Sequence, residues 1–117
     1  MHEMSIAISI VEAVEAKARE EGAERISGID LLIGKLAGIE PDSLVFCFSA
    51  AAKGTLAEEA VLVIEEPEGV GECGECGMRF PVSFYYAECP ECRSFLVNIV
   101  SGKEFLIQSM TIEEKGA

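Results

Sequence analysis

Two Cys-x-x-Cys pairs constrain this chain more than any other feature. Cys73-Gly74-Glu75-Cys76 and Cys89-Pro90-Glu91-Cys92 are separated by twelve residues. Two such turns bring four thiolates to one tetrahedral point, the arrangement of a structural zinc site with no position left for a substrate. The module around them spans roughly thirty residues, too few for a self-sufficient hydrophobic core, so a metal there would be part of the fold. Two disulfides are the competing reading. The chain has five cysteines, an odd number, with four in metal spacing. An oxidising compartment favours even pairing, so the count favours bound metal in a reducing cytoplasm. Iron in a rubredoxin-like site competes with zinc, because the same thiolates would hold it. A catalytic zinc is not expected, since four cysteines close the coordination sphere. The fifth cysteine, Cys47, falls on the apolar stripe of a predicted helix and reads as a buried structural thiol.

Composition narrows the partners. Of 117 residues, half are hydrophobic, enough for one domain or one domain with a small appendage. Nine basic residues face 21 acidic ones, a net charge of −12, which becomes about −14 if four ionised cysteines hold one Zn²⁺. Such a surface repels phosphate backbones, so nucleic acid is not an expected partner. It suits basic protein surfaces and cations. Met4 to Val11 is apolar apart from two serines, but no basic residue precedes it and Glu12 and Glu15 follow at once, so it does not read as a signal peptide. No apolar run is long enough to span a bilayer, and no membrane association is expected.

Periodicity organises the rest. Met4, Ala7, Ile8, Val11, Val14 and Ala18 recur at helical spacing and predict a helix over Met4 to Glu21, stopped by Gly22. Arg25 to Leu36 reads as a strand, with Gly28 and Gly34 as bulge positions. Pro41 opens a second helix with Leu44, Cys47, Phe48 and Ala51 inward, closing near Gly54. Glu59 to Glu65 reads as a second strand, and its unbroken apolar run predicts burial on both faces. Pro67 to Gly71 and Ser101-Gly102-Lys103 read as hinges flanking the cysteine module. Met78 to Val82 and Phe95 to Ile99 are its short strands, and Phe105 to Ile112 is the closing strand. The expected architecture is α+β: two helices on a small mixed three-stranded sheet, with a four-cysteine zinc-ribbon-like domain inserted before the last strand. Residues 1–69 and 101–117 form the first domain and 70–100 the inserted one. The two glycine hinges leave exchange between two chains, and so a homodimer, open.

The N-terminus carries the second chemical signal. His2 is the only histidine. The terminal amine of Met1, the His2 amide nitrogen and the His2 imidazole are joined by short covalent links and close small chelate rings. Deprotonated amide nitrogen suits square-planar Ni²⁺ or Cu²⁺. Amine and imidazole must both be deprotonated, so binding weakens as pH falls. The plainer reading is a solvated terminus, with Glu3 an acid stabilised by the dipole of a helix start.

These residues together resemble the HypA family of hydrogenase nickel-incorporation proteins, over essentially the whole chain. The resemblance rests on Met1-His2-Glu3-Met4-Ser5 at the start, on Ile33-Gly34 and on Glu40-Pro41 through Leu44. It continues through Gly54-Thr55, then Ala60, Leu62 and Glu65, and the two cysteine pairs. It closes on Gly102-Lys103-Glu104-Phe105-Leu106-Ile107-Gln108-Ser109-Met110. It implies a nickel metallochaperone, not an enzyme. Met1 would supply the amine, His2 the imidazole and amide, and Glu3 its backbone or a supporting contact. Cys73, Cys76, Cys89 and Cys92 would hold structural Zn²⁺, while Ni²⁺ is cargo. A GTPase resembling HypB and the [NiFe]-hydrogenase large-subunit precursor are the implied partners, in the cytoplasm. Some relatives carry histidines beside the cysteine pairs; this chain has none there. Two alternatives stand beside this reading: a zinc-ribbon interaction module without nickel, and an iron-thiolate electron carrier. Phe84, Tyr85 and Tyr86 are either contact points for a partner or packing within the ribbon.

Overall fold

The structure, a computed structural model, describes residues 3–114 and the backbone of His2. Eight elements follow in order: α1 (His2–Glu20), β1 (Ala23–Ile33), α2 (Pro41–Ala51), β2 (Val61–Glu65), β3 (Val70–Cys73), β4 (Arg79–Pro81), β5 (Val97–Ser101) and β6 (Phe105–Glu114). They form two helices and two three-stranded sheets, ordered β2-β1-β6 and β4-β3-β5. The second sheet is inserted between β2 and β6 of the first, as the sequence predicts. The chain packs as two compact units: Met1–Leu31 with Ile39–Ile64 and Ile107–Ala117, and Leu32–Gly38 with Glu65–Leu106.

In the first unit, α1 buries Ala7, Ile10, Val11, Val14 and Ala18. Ile8, expected on that stripe, is 45 % exposed, because Ile10 takes the inward position at the helical spacing from Ala7 and Val14. Gly22, at φ +74°, ends the helix where a left-handed residue is needed, its N–H bonding Arg19 O at 3.1 Å. Pro41 stands at the start of α2, and the Glu40 carboxylate caps that helix by accepting from Asp42 N at 2.9 Å. Leu44, Cys47 and Phe48 are its buried face, so Cys47 is the core thiol its position implies. The two helices pack on each other, while Ile26, Ile29 and Leu31 of β1 are also fully buried. Cross-strand contacts run Arg25 to Glu113, Ser27 to Thr111 and Asp30 to Ser109. Their numbers descend along β6 as they rise along β1, so these strands are antiparallel.

Expectations for β2 and the hinges need correction. β2 is an edge strand, with Val61 at 63 % and Val63 at 55 % exposure. Its apolar run is therefore open on one face, not buried on both. The predicted hinges are packed backbone. Val70–Cys73 is the central strand of the second sheet, and Gly34, Gly69, Gly71 and Gly102 are all buried. Three segments cross there: Gly34 N bonds Glu104 O at 2.8 Å, Lys35 N bonds Pro67 O at 3.0 Å and Leu36 N bonds Gly102 O at 2.6 Å. A Cβ on Gly34 would lie 2.1 Å from the Gly102 carbonyl. Glycine here permits close approach of backbones.

Candidate metal centre

The two knuckles are built alike. Cys73 N donates to Met78 O at 2.9 Å, and Gly77 N donates back to Cys73 O at 3.1 Å. In the second knuckle Cys89 N donates to Ser94 O and Arg93 N to Cys89 O, both at 2.9 Å. Each turn needs a left-handed residue just after its second cysteine: Gly77 at φ +79° and Arg93 at φ +66°. The first knuckle leaves the end of β3, whose partners β4 and β5 run antiparallel to it. Phe80, Cys73 and Cys89 are the module's buried centre, with Met78, Val82, Ala87 and Val97 packed around them.

All four sulfurs lie within 4.8 Å of one another. The pairs Cys73–Cys92 and Cys76–Cys89 each stand 3.5 Å apart. A tetrahedron with metal–sulfur bonds of about 2.3 Å has edges of about 3.8 Å, so the donor set fits a four-coordinate thiophilic ion. Cys73 and Cys89 are buried, while Cys76 and Cys92 are exposed.

Electrostatics point the same way. The backbone N–H groups of Cys76 and Glu75, each 3.4 Å from Cys73 Sγ, lower its pKa from the ordinary 9.0 to about 6. At Cys92 the Ser94 amide pulls downward, but the contact with Cys73, burial and the remaining thiols outweigh it and push the pKa up to about 12. At Cys76 the Met78 amide likewise pulls downward, and the contact with Cys89, burial and Cys73 together leave its pKa raised. One thiolate forms readily, and further negative charge in so small a space calls for a cation.

At the other candidate site, Met1 and the His2 side chain lie outside the described residues. Glu3 is half-buried, and its Oε2 accepts a hydrogen bond from Glu40 N at 3.3 Å. The contact between Glu40 and Glu3 is what the sequence did not foretell. Glu40-Pro41 signals a helix start, but nothing local links that cap to an acid 37 positions earlier. Tyr85 is tied down by its hydroxyl, which donates to Leu36 O at 2.5 Å, while Phe84 and Tyr86 are 63 % and 86 % exposed. Among the described residues no helix is long and apolar enough to cross a membrane.

Comparison with known proteins agrees with this architecture. The profile of the family described as "Hydrogenase/urease nickel incorporation, metallochaperone, hypA" matches residues 1–112. The hydrogenase maturation factor HypA of Pelodictyon phaeoclathratiforme is 81 % identical over 116 residues, 99 % of each chain. That of Geobacter metallireducens is 44 % identical over 97 % of this chain and all of its own. A solution structure of HypA protein superposes with a TM-score of 0.72 at 26 % identity, covering 96 % of each chain. The solution structure of the Ni metallochaperone HypA from Helicobacter pylori shares the fold, with a TM-score of 0.68 over 97 % of this chain and 98 % of its own. The chain therefore belongs to the HypA family of hydrogenase maturation factors, nickel metallochaperones and not enzymes.

Proposed function

We propose that this chain binds Ni²⁺ at its N-terminus and delivers it, in the cytoplasm, to the [NiFe]-hydrogenase large-subunit precursor after receiving it from a GTPase resembling HypB. The Met1 amine, the His2 amide and the His2 imidazole are the donors, with Glu3 in support. Cys73, Cys76, Cys89 and Cys92 hold zinc as a structural staple. On this reading residues 1–69 and 101–117 are the nickel-binding part and 70–100 the zinc-binding part.

The observation that carries the nickel reading is the start of α1 at His2. The first N–H groups of a helix have no acceptor within it. The His2 amide is therefore free to lose its proton to a metal without breaking the helix ladder. The helix dipole favours that anionic nitrogen at the same point. The Glu3 carboxylate is engaged with the Glu40 backbone, which fits a supporting role for it. A terminal chelate can also be dismantled one donor at a time, as transfer to the precursor's thiolates requires. Copper stands above nickel in affinity for such donors, so selectivity falls to metal availability and partner recognition.

Zinc, when bound, supplies cross-linking of the two knuckles and charge balance for their thiolates. The cysteine turns hold the donors and Phe80 backs them. Nickel is titrated by calorimetry into tag-free protein, His2→Ala and a variant extended before Met1, with zinc measured on all three. One nickel per chain is expected in the parent, with affinity falling at least tenfold in both variants and one zinc retained throughout. Unchanged nickel affinity in both variants would sink the chelate. A red protein with iron in place of zinc would favour the electron-carrier reading.

A further inference from the structure

We propose that the cysteine cluster is a staple exchangeable by oxidation: peroxide converts its four thiolates into two disulfides between the knuckles, Cys73–Cys92 and Cys76–Cys89, and releases the metal. The inference rests on the reading of these cysteines as a zinc site.

Two features of the geometry carry it. In each knuckle one cysteine is exposed, Cys76 in the first and Cys92 in the second, and one is buried, Cys73 and Cys89. The sulfur of each exposed cysteine lies 3.5 Å from that of the buried cysteine in the opposite knuckle. Oxidation follows thiolate character and access, so peroxide in solution meets the exposed residues Cys76 and Cys92 first. The resolving thiolate is then the buried one across the gap.

The chemistry balances with peroxide as the only oxidant. The Cys92 thiolate attacks one peroxide oxygen; the O–O bond breaks, hydroxide leaves and a sulfenic acid forms on Cys92. The Cys73 thiolate attacks that sulfur, the S–O bond breaks, and hydroxide leaves as the disulfide forms. Cys76 and Cys89 repeat the sequence. Each pair gives two electrons to one peroxide, which takes up two protons and ends as two waters. Each disulfide withdraws two donors from the metal.

The exchange preserves the tie between β3 and the second knuckle, because the same two turns stay joined. It changes charge: four thiolates with one divalent cation carry −2, and two disulfides carry none. Zinc-free modules usually unfold; here a covalent staple replaces the ionic one, and a dithiol reductant with zinc restores it.

The test uses the full chain, loaded with zinc and quantified before oxidation. Hydrogen peroxide is added in steps while a chromophoric chelator reads released zinc, and the product is alkylated and mapped without reduction. Cleavage after Glu75, Glu88 and Glu91 places the four cysteines on separate peptides. One zinc released for two peroxides, with Cys73–Cys92 and Cys76–Cys89 peptides dominant, is the expected result. Bridges within each Cys-x-x-Cys, sulfinic acids without bridges, or zinc retained in peroxide excess would each overturn the proposal. Absence of zinc before oxidation would instead remove the zinc reading on which it rests, leaving the nickel titration unaffected.

Discussion

Arg93 occupies a position that its counterpart in the first knuckle gives to glycine. Both residues sit in the left-handed region, Gly77 at +79° and Arg93 at +66°, where a side chain costs about 1–2 kcal/mol. Arg93 recovers part of that through its Nε bond to Glu88 at 2.8 Å, but the pair is exposed and such pairs contribute little. Arg93→Gly should stabilise the zinc-loaded protein by about 0.5–1 kcal/mol after the entropy of the added glycine is allowed for. The thermal midpoint reads this, and a lower midpoint would mean the ion pair outweighs the strain. The four cysteines were legible at this scale because a Cys-x-x-Cys turn carries its hydrogen bonds within five residues. Glu40 was not, because its contact with Glu3 exists only once two helix starts have met.

Within the elements, the first knuckle has a pH dependence whose sign follows from Cys73. Its folded pKa of about 6 lies below the ordinary 9.0. The stabilisation from its thiolate is complete above 9.0, shrinks as pH falls, and is gone once pH passes below about 6. Zinc binding needs deprotonated thiols and moves in the same direction. Zinc retention against a fixed concentration of competing chelator should therefore fall as pH is lowered from 8 toward 6; retention that rises on acidification would contradict the assignment. The helices and most strands were read from periodicity within a residue or a few. β3 was not, since Val70-Gly71 resembles a hinge. A Cβ at Gly71 would lie 2.7 Å from Val97 Cγ1, so glycine there admits the neighbouring strand. β2 misled in the opposite way: an apolar run looks the same whether or not a partner covers its second face.

Each of the two units buries residues of its own. Leu44, Cys47 and Phe48 of α2 belong to the first, and Phe80 with Cys73 and Cys89 to the second. Chelating zinc under reducing conditions should therefore unfold the small module while the helical signal of α1 and α2 persists in far-ultraviolet circular dichroism. Complete loss of helix would mean that the metal supports the entire chain. The clustering of four cysteines, the acidic surface, the two helices and the insertion order were legible before folding, since each rests on local spacing or on counts. Only long-range packing shows which cysteines are exposed, that β2 is an edge, and that the supposed hinges are a close crossing of Gly34, Gly69 and Gly102. Those depend on which distant segment arrives beside a residue, and no local pattern encodes that.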